Sequence, residues 1–224
     1  MCGIVGYTGK QEATPIILEG LRKLEYRGYD SAGVCVINAG HASIRRSEGK
    51  LANLDKLLSE NPTSGEIGIG HTRWATHGAP TECNAHPHCD TSGRLALIHN
   101  GIIENYRVLR TFLEQHGATF TSETDTEVLT QLVAHFYEGE LEEAVRRALR
   151  EVRGTFGIAV LHLDEPDKIV AARRGSPLIV GVGQSEYVLA SDAAAILSHT
   201  PQVIYLSDNE VAILERTGFR TTNL

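Results

Sequence analysis

The chain has 224 residues, with 21 Lys and Arg against 28 Asp and Glu, for a formal charge of −7. That balance lacks the basic patch or stripe of a nucleic-acid binder, and 42% apolar with 22% charged residues excludes a disordered chain. No apolar run approaches the roughly 20 residues of a membrane-spanning helix, and one core at this length buries about 70% of the unfolded chain's surface.

A single domain over residues 1–224 is therefore expected. The opening MCGIVGYTGK has no basic stretch ahead of a long apolar core, so it does not read as a secretory signal. Four cysteines, Cys2, Cys35, Cys83 and Cys89, are then expected as reduced thiols of a cytoplasmic protein. The 22 glycines predict frequent tight turns and close backbone approaches.

Residues 3–7 read as a strand. Pro15 opens a helical pattern in which Ile17, Leu18, Leu21 and Leu24 share a face. A turn at 28–30 leads to a strand at 34–37, and residues 38–40 look like a hairpin connection. Leu51, Leu54, Leu57 and Leu58 make a short amphipathic helix, and 67–71 read as a strand ending at His71. Residues 72–93 have little periodicity and are rich in Thr, His, Gly, Pro, Asn and Cys, the composition of a functional or disordered loop. Residues 95–98 return to strand. A helix over 105–115 stops at Gly117. Thr124 and Glu127 form a capping-box pair before the next helix, and 142–152 form another. Beyond Gly154, short apolar runs at 156–163, 169–172, 178–182, 187–190, 203–206 and 211–214 predict antiparallel strands, with one short helical candidate at 192–197. The mixture favours a layered α+β domain over a doubly wound sheet.

Five constellations carry chemical potential. Cys2 follows the initiator Met1. Once Met1 is removed it combines a thiol with a free α-amine of pKa about 7.7–8.0, a nucleophile beside its own base. The plain alternative is a small apolar residue opening a strand. HTRWATHG at 71–78 offers Arg73 as a planar fork for a carboxylate, Thr76 and His77 as hydrogen-bonding groups and Trp74 as a movable cover; it also reads as a solvated loop. Asn100 and Gly101 have the makings of an oxyanion hole, or of an Asn-Gly turn. In SETDTE at 122–127, Thr124 caps a helix while Asp125 is free to meet an ammonium group. Cys83, His86, His88 and Cys89 resemble zinc ligands by type. Their spacing is cramped and Pro87 stiffens it, so no metal is assigned and the histidines are expected to pack within the loop.

Taken together and in order, MCGI at the start, LEYRGYDSAG at 24–33, HTRWATHG, NAHPH at 84–88, HNGIIENY at 99–106 and SETDTEV at 122–128 resemble the glutamine amidotransferases with an N-terminal cysteine nucleophile. The match is to the aminotransferase branch whose ammonia acceptor is fructose 6-phosphate. The phosphoribosylpyrophosphate amidotransferases share the Cys start and the Arg-Gly and Asn-Gly pairs but do not carry the RWATHG loop or the EYRGYDSAG stretch in this form. The resemblance implies an α+β fold of the N-terminal-nucleophile hydrolase type, a four-layer αββα sandwich with two antiparallel sheets. It implies glutamine hydrolysis through a γ-glutamyl thioester on Cys2, with Asn100 and Gly101 at the oxyanion. Arg73, Thr76 and His77 would bind the carboxylate of L-glutamine and Asp125 its ammonium. Trp74 would gate the site, His86 would line it and Arg27 would organise the N-terminus. It implies no cofactor, no nucleic-acid or membrane partner, and a sugar isomerase domain that lies outside these residues. The competing expectations are an amidotransferase with another acceptor and an inactive or zinc-stabilised scaffold.

Overall fold

The computed structural model describes residues 2–75 and 78–224. Among the described residues, thirteen strands and five helices form four layers, as the resemblance implies. The first sheet has the order β11-β9-β10-β1-β4-β2-β3, built from β1 (Gly3–Thr8), β2 (Ser31–Asn38), β3 (His41–Glu48), β4 (Ile67–Arg73), β9 (Ile179–Val182), β10 (Tyr187–Ala190) and β11 (Val203–Tyr205). The second runs β13-β12-β8-β7-β6-β5, from β5 (His88–Cys89), β6 (Leu95–Ile103), β7 (Gly154–His162), β8 (Lys168–Arg174), β12 (Glu210–Glu215) and β13 (Gly218–Asn223). Every pairing between these strands is antiparallel. Helices α1 (Ala13–Leu24) and α2 (Leu51–Glu60) cover the outer face of the first sheet. Helices α3 (Tyr106–Gln115), α4 (Asp125–Phe136) and α5 (Leu141–Glu151) cover that of the second. Among the described residues, no helix is long and apolar enough to cross a membrane.

The strand pleat sorts side chains into these layers. Val34 and Val36 point to α1 and α2, whereas Cys35 and Ile37 enter the core between the sheets. Leu95 and Leu97 meet the α3–α5 layer, while Ala96 and Ile98 face the other sheet. Both faces are buried, which is why these strands read as continuous apolar runs rather than alternating ones.

Several boundaries differ from the sequence reading. Helix α1 starts two residues before Pro15, because the first helical positions need no intrahelical N–H partner and tolerate proline there. Strands β3 and β13 were not expected as strands. Each is an edge strand with mostly half-exposed, polar residues, so its pattern is weak. The 192–197 helix is only a 3₁₀ turn over Ala193–Ala195, capped by Asp192 Oδ1 accepting from the Ala194 N–H at 3.0 Å. Inside the 72–93 segment the chain makes strand β5, and β4 runs on to Arg73. Strand β6 continues through Asn100 and Gly101 to Ile103, paired with β7 as Asn100↔Gly157 and Gly101↔Phe156. Asn100-Gly101 is therefore not a turn.

The capping box forms with a variation. Thr124 Oγ1 accepts from the Glu127 N–H at 3.1 Å. Glu127 reaches past the cap to Thr121 and Ser122, accepting from both backbone N–H groups at 2.8 and 2.6 Å and from both hydroxyls at 3.0 and 2.6 Å. A buried carboxylate filled by four donors, each charge-assisted bond worth about 1.5–3 kcal/mol, pins the chain entering α4 and so positions Asp125.

Candidate active site

The pleat that builds the core also aims the site. Ile4 on β1, Ile67 and Ile69 on β4, and Ala96 and Ile98 on β6 face inward. Continuing that parity places Cys2, His71, Arg73 and Asn100 on the same inner faces at one end of the sandwich. Register completes the convergence: Ile4 lies opposite His71 and Gly3 opposite Thr72 across β1 and β4. A small cleft results, lined by Cys2, Arg73, Trp74, His86, His99, Gly101, Thr124, Asp125 and Thr126.

At its floor, the Cys2 Sγ accepts a hydrogen bond from the Trp74 N–H at 3.2 Å. Asp30 sets that N–H in place from both sides. Its own N–H donates to Arg73 O at 3.0 Å, and its Oδ2 accepts from the Ala75 N–H at 2.9 Å. Burial pushes the Cys2 thiol pKa up; the Trp74 N–H and the positive charges of Arg73 and Arg27 oppose that rise. The Asn100 Nδ2 donates to the Cys2 carbonyl at 3.0 Å, which uses one of its two hydrogens. Gly101 has φ +138°, and a Cβ there would lie 2.1 Å from Thr155 O, so only glycine fits.

Opposite charges line the cleft beside the thiol. Arg73 is 3% exposed, and its Nη1 and Nη2 donate to Ala79 O at 3.3 Å and Gly78 O at 3.4 Å. Burial lowers its pKa, countered by the negative charges of Cys2, Asp125 and Asp30. Asp125 is 4% exposed in the first turn of α4, where the helix dipole favours a carboxylate. Its Oδ2 accepts from the Ile103 N–H at 2.8 Å, tying β6 to α4. Trp74 is 45% exposed at the rim, edge-on to Tyr29 with ring centroids 5.7 Å apart. Arg27 is buried and does not line the cleft. Its Nη1 donates to Asp192 Oδ2 at 3.0 Å and Ser191 O at 3.4 Å, and the Ser191 Oγ accepts from the Ile4 N–H at 3.0 Å. Thr76, His77 and Met1 lie outside the described residues.

The cleft wall includes residues to which the sequence reading gave no binding or catalytic role. His99 lies between the Thr126 hydroxyl, 3.0 Å from Nδ1, and Thr155 O, 3.3 Å from Nε2. Thr124 Oγ1 lies 3.0 Å from His88 Nε2. Alternation along 95–99 was the signal for His99, which shares the face of Leu97. His71 was visible only as part of a motif. Its Nε2 lies 2.9 Å from Asn100 Oδ1 and 3.1 Å from His99 O, and its Nδ1 lies 3.0 Å from His86 Nδ1. The zinc-scaffold grouping does not assemble: His86 Nδ1 is engaged by His71, His88 Nε2 by Thr124, and Cys83 is exposed beside Thr81. Among the described residues, no three His, Cys, Asp or Glu side chains are placed so as to hold a metal ion.

Desolvation, reinforced by neighbouring positive charge, holds His71 and His88 at a pKa of about 3 and His86 well below its usual value. Hydrogen bonds to Asn100 and His99 O only partly oppose this at His71. Unfolded histidines titrate at about 6.5. As pH falls from about 6.5 towards 3, the unfolded chain therefore takes up protons that the folded chain refuses, and stability falls across that window. The urea midpoint is expected to be lower at about pH 5 than at about pH 7.5, and His88→Gln should flatten the difference. An unchanged midpoint would contradict the neutral buried cluster.

Residues 71–198 match a family model described as a glutamine amidotransferase domain. The chain is similar to a glutamine–fructose-6-phosphate aminotransferase (isomerizing) of Clostridium acetobutylicum, 53% identical over 218 residues covering 97% of this chain and 36% of that protein. It is 53% identical over 224 residues to the enzyme of the same description from Thermus thermophilus, covering 100% of this chain and 37% of the relative. The chain thus spans little more than a third of the length of these relatives. Among solved structures, the glutamine phosphoribosylpyrophosphate amidotransferase of B. subtilis, complexed with ADP and GMP, superimposes with a TM-score of 0.87. It is 25% identical, over 99% of this chain and 49% of that one.

Proposed function

The chain belongs to the glutamine amidotransferase domain family, and we propose that it hydrolyses the side-chain amide of L-glutamine to glutamate and ammonia through a γ-glutamyl thioester on Cys2. The observation that carries this reading is that a thiol, an arginine and an aspartate line one small cleft, close enough for Cys2 and Asp125 to act on the Arg73 charge. A zwitterionic amino acid needs that arrangement. The Arg73 guanidinium meets the α-carboxylate, and Asp125, with Oδ2 held by Ile103, turns its other oxygen to the α-ammonium.

In the reaction, the Cys2 sulfur attacks the amide carbon as the thiol proton moves, through a water, to the Cys2 α-amine freed by loss of Met1. The negative charge that develops on the amide oxygen is met by the second Asn100 Nδ2 hydrogen and the Gly101 N–H. The C–N bond then breaks, the proton passes to the departing nitrogen, and ammonia leaves. Water attacks the thioester by the same route, releasing glutamate and restoring the thiol. In this reading Thr76 and His77 assist Arg73 in binding the carboxylate, while His86 and Trp74 line the cleft and Trp74 covers it. Arg27 holds the Ser191–Asp192 segment against β1 and so supports the strand that carries the nucleophile.

In a longer chain like its relatives, the ammonia would pass to a sugar isomerase domain and to fructose 6-phosphate. The 53% identity to the isomerizing aminotransferases, against 25% to the phosphoribosylpyrophosphate enzyme, favours that acceptor.

The test is glutamate release by the processed chain, paired with Arg73→Ala. Loss of a desolvated ion-pair partner costs a few kcal/mol. Arg73→Ala is therefore expected to raise KM for glutamine about 10²-fold or more, with a much smaller effect on a γ-glutamyl analogue lacking the α-carboxylate. Equal losses on both substrates would remove Arg73 from the carboxylate site. Absence of glutamate release from protein shown to begin at Cys2 would overturn the function itself.

A further inference from the structure

The oxyanion donor has its own support. Asn100 can stabilise charge only if its amide is turned with Nδ2 towards the reacting centre, and a primary amide has two nearly isosteric orientations. His71 removes the choice. Its Nε2 faces the backbone carbonyl of His99 at 3.1 Å. A carbonyl only accepts, so Nε2 carries the hydrogen. The same N–H lies 2.9 Å from the Asn100 side chain, which must therefore present Oδ1 there and Nδ2 on its other side. The contact of Nδ2 with the Cys2 carbonyl at 3.0 Å agrees with this independently, since that partner too only accepts.

A second histidine locks the first. With its hydrogen on Nε2, a neutral His71 has a bare Nδ1, and His86 Nδ1 lies 3.0 Å from it as the donor. The two rings meet edge-on, 4.1 Å between centroids. His86 is then left with an unprotonated Nε2. That atom is buried and has no partner among the described residues, in a side chain 5% exposed. The polypeptide is shaped to admit the pair: Gly33 lies opposite His71 on β2, and a Cβ there would sit 2.2 Å from His86 O.

Building on the glutaminase reading, we infer that the His86–His71 pair is a positioning relay that fixes the tautomer of His71 and thereby the orientation of the Asn100 amide as oxyanion donor. Neither histidine touches the reacting atoms in this role. His71 acts through Asn100, and His86 acts through His71.

A double-mutant cycle on the processed chain tests this, with glutamate release as the readout and circular dichroism with thermal unfolding as the check on folding. His71→Ala is expected to lower kcat about 10-fold or more, up to the roughly 10²–10³-fold set by outright loss of an oxyanion donor, with KM nearly unchanged. In an Asn100→Ala background the same substitution should cost almost nothing further, because the orientation it protects no longer exists. His71→Gln, whose Nε2 can take the place of the imidazole N–H, should recover most of the rate. If Asn100→Ala is slow and His71→Ala adds its full factor on top, the relay is wrong while the oxyanion reading stands. If Asn100→Ala itself leaves kcat unchanged, the oxyanion reading fails and the relay with it. Should His71→Ala not fold, ¹⁵N spectra of the wild-type imidazoles decide. A neutral His71 protonated on Nε2 across neutral pH supports the relay, and an Nδ1-protonated or charged ring overturns it.

Discussion

Replacing Cys2 with Ala is expected to bring glutamine hydrolysis to background while leaving the fold unchanged. The lost side chain is small and lies just before β1, outside all three apolar clusters of the core. Cys2→Ser should fail as well, since a hydroxyl under the same base is a far weaker nucleophile than a thiol. The same logic extends to Met1. A Met1-retaining form has an amide nitrogen where the mechanism needs a basic amine, so it is expected to fold and remain inactive. Aminopeptidase treatment should switch it on, and acetylation of the processed α-amine should switch it off with the thiol intact. Intact mass, glutamate release and circular dichroism on the same samples make the measurement. Activity near wild type in Cys2→Ala, or in protein shown by mass to keep Met1, would exclude the proposed nucleophile and base respectively.

Asn100→Ala should lower kcat about 10²–10³-fold, the usual loss on removing one oxyanion donor, with only a small change in KM. The asymmetry arises because the second Nδ2 hydrogen has little to bind in the ground-state amide and a full negative charge to bind in the transition state. The Asn100 amide also holds the Cys2 carbonyl at 3.0 Å, so a modest loss of order at the N-terminus accompanies the change. Steady-state kinetics settle the point. A raised KM at unchanged kcat would show that Asn100 positions substrate and nothing more.

The sequence alone carried the information that is local. The i, i+3 and i+4 spacing of Ile17, Leu21 and Leu24 is a property of a few turns of chain, and α1 follows it. The Thr124–Glu127 pair marked the start of α4 by the same kind of short-range chemistry. The order of the motifs carried the family, and with it Cys2, Arg73, Asn100, Gly101 and Asp125 as the residues to watch. Strands β3 and β13 escaped because an edge strand with one covered face needs few apolar residues. Asn100-Gly101 read as a strand end or a turn because nothing nearby reveals that β7 pairs across it. His71 read as part of a loop motif because its partners, Asn100 and His86, lie 29 and 15 residues away. Strand pairing and the facing of the two sheets are set by burial of both sides of each sheet, a condition satisfied only by the whole chain at once. That condition, which no local window contains, brings the backbone carbonyl of the nucleophile Cys2, just before the first strand, and the Asn100 amide, 98 residues later, to 3.0 Å across the end of the sandwich.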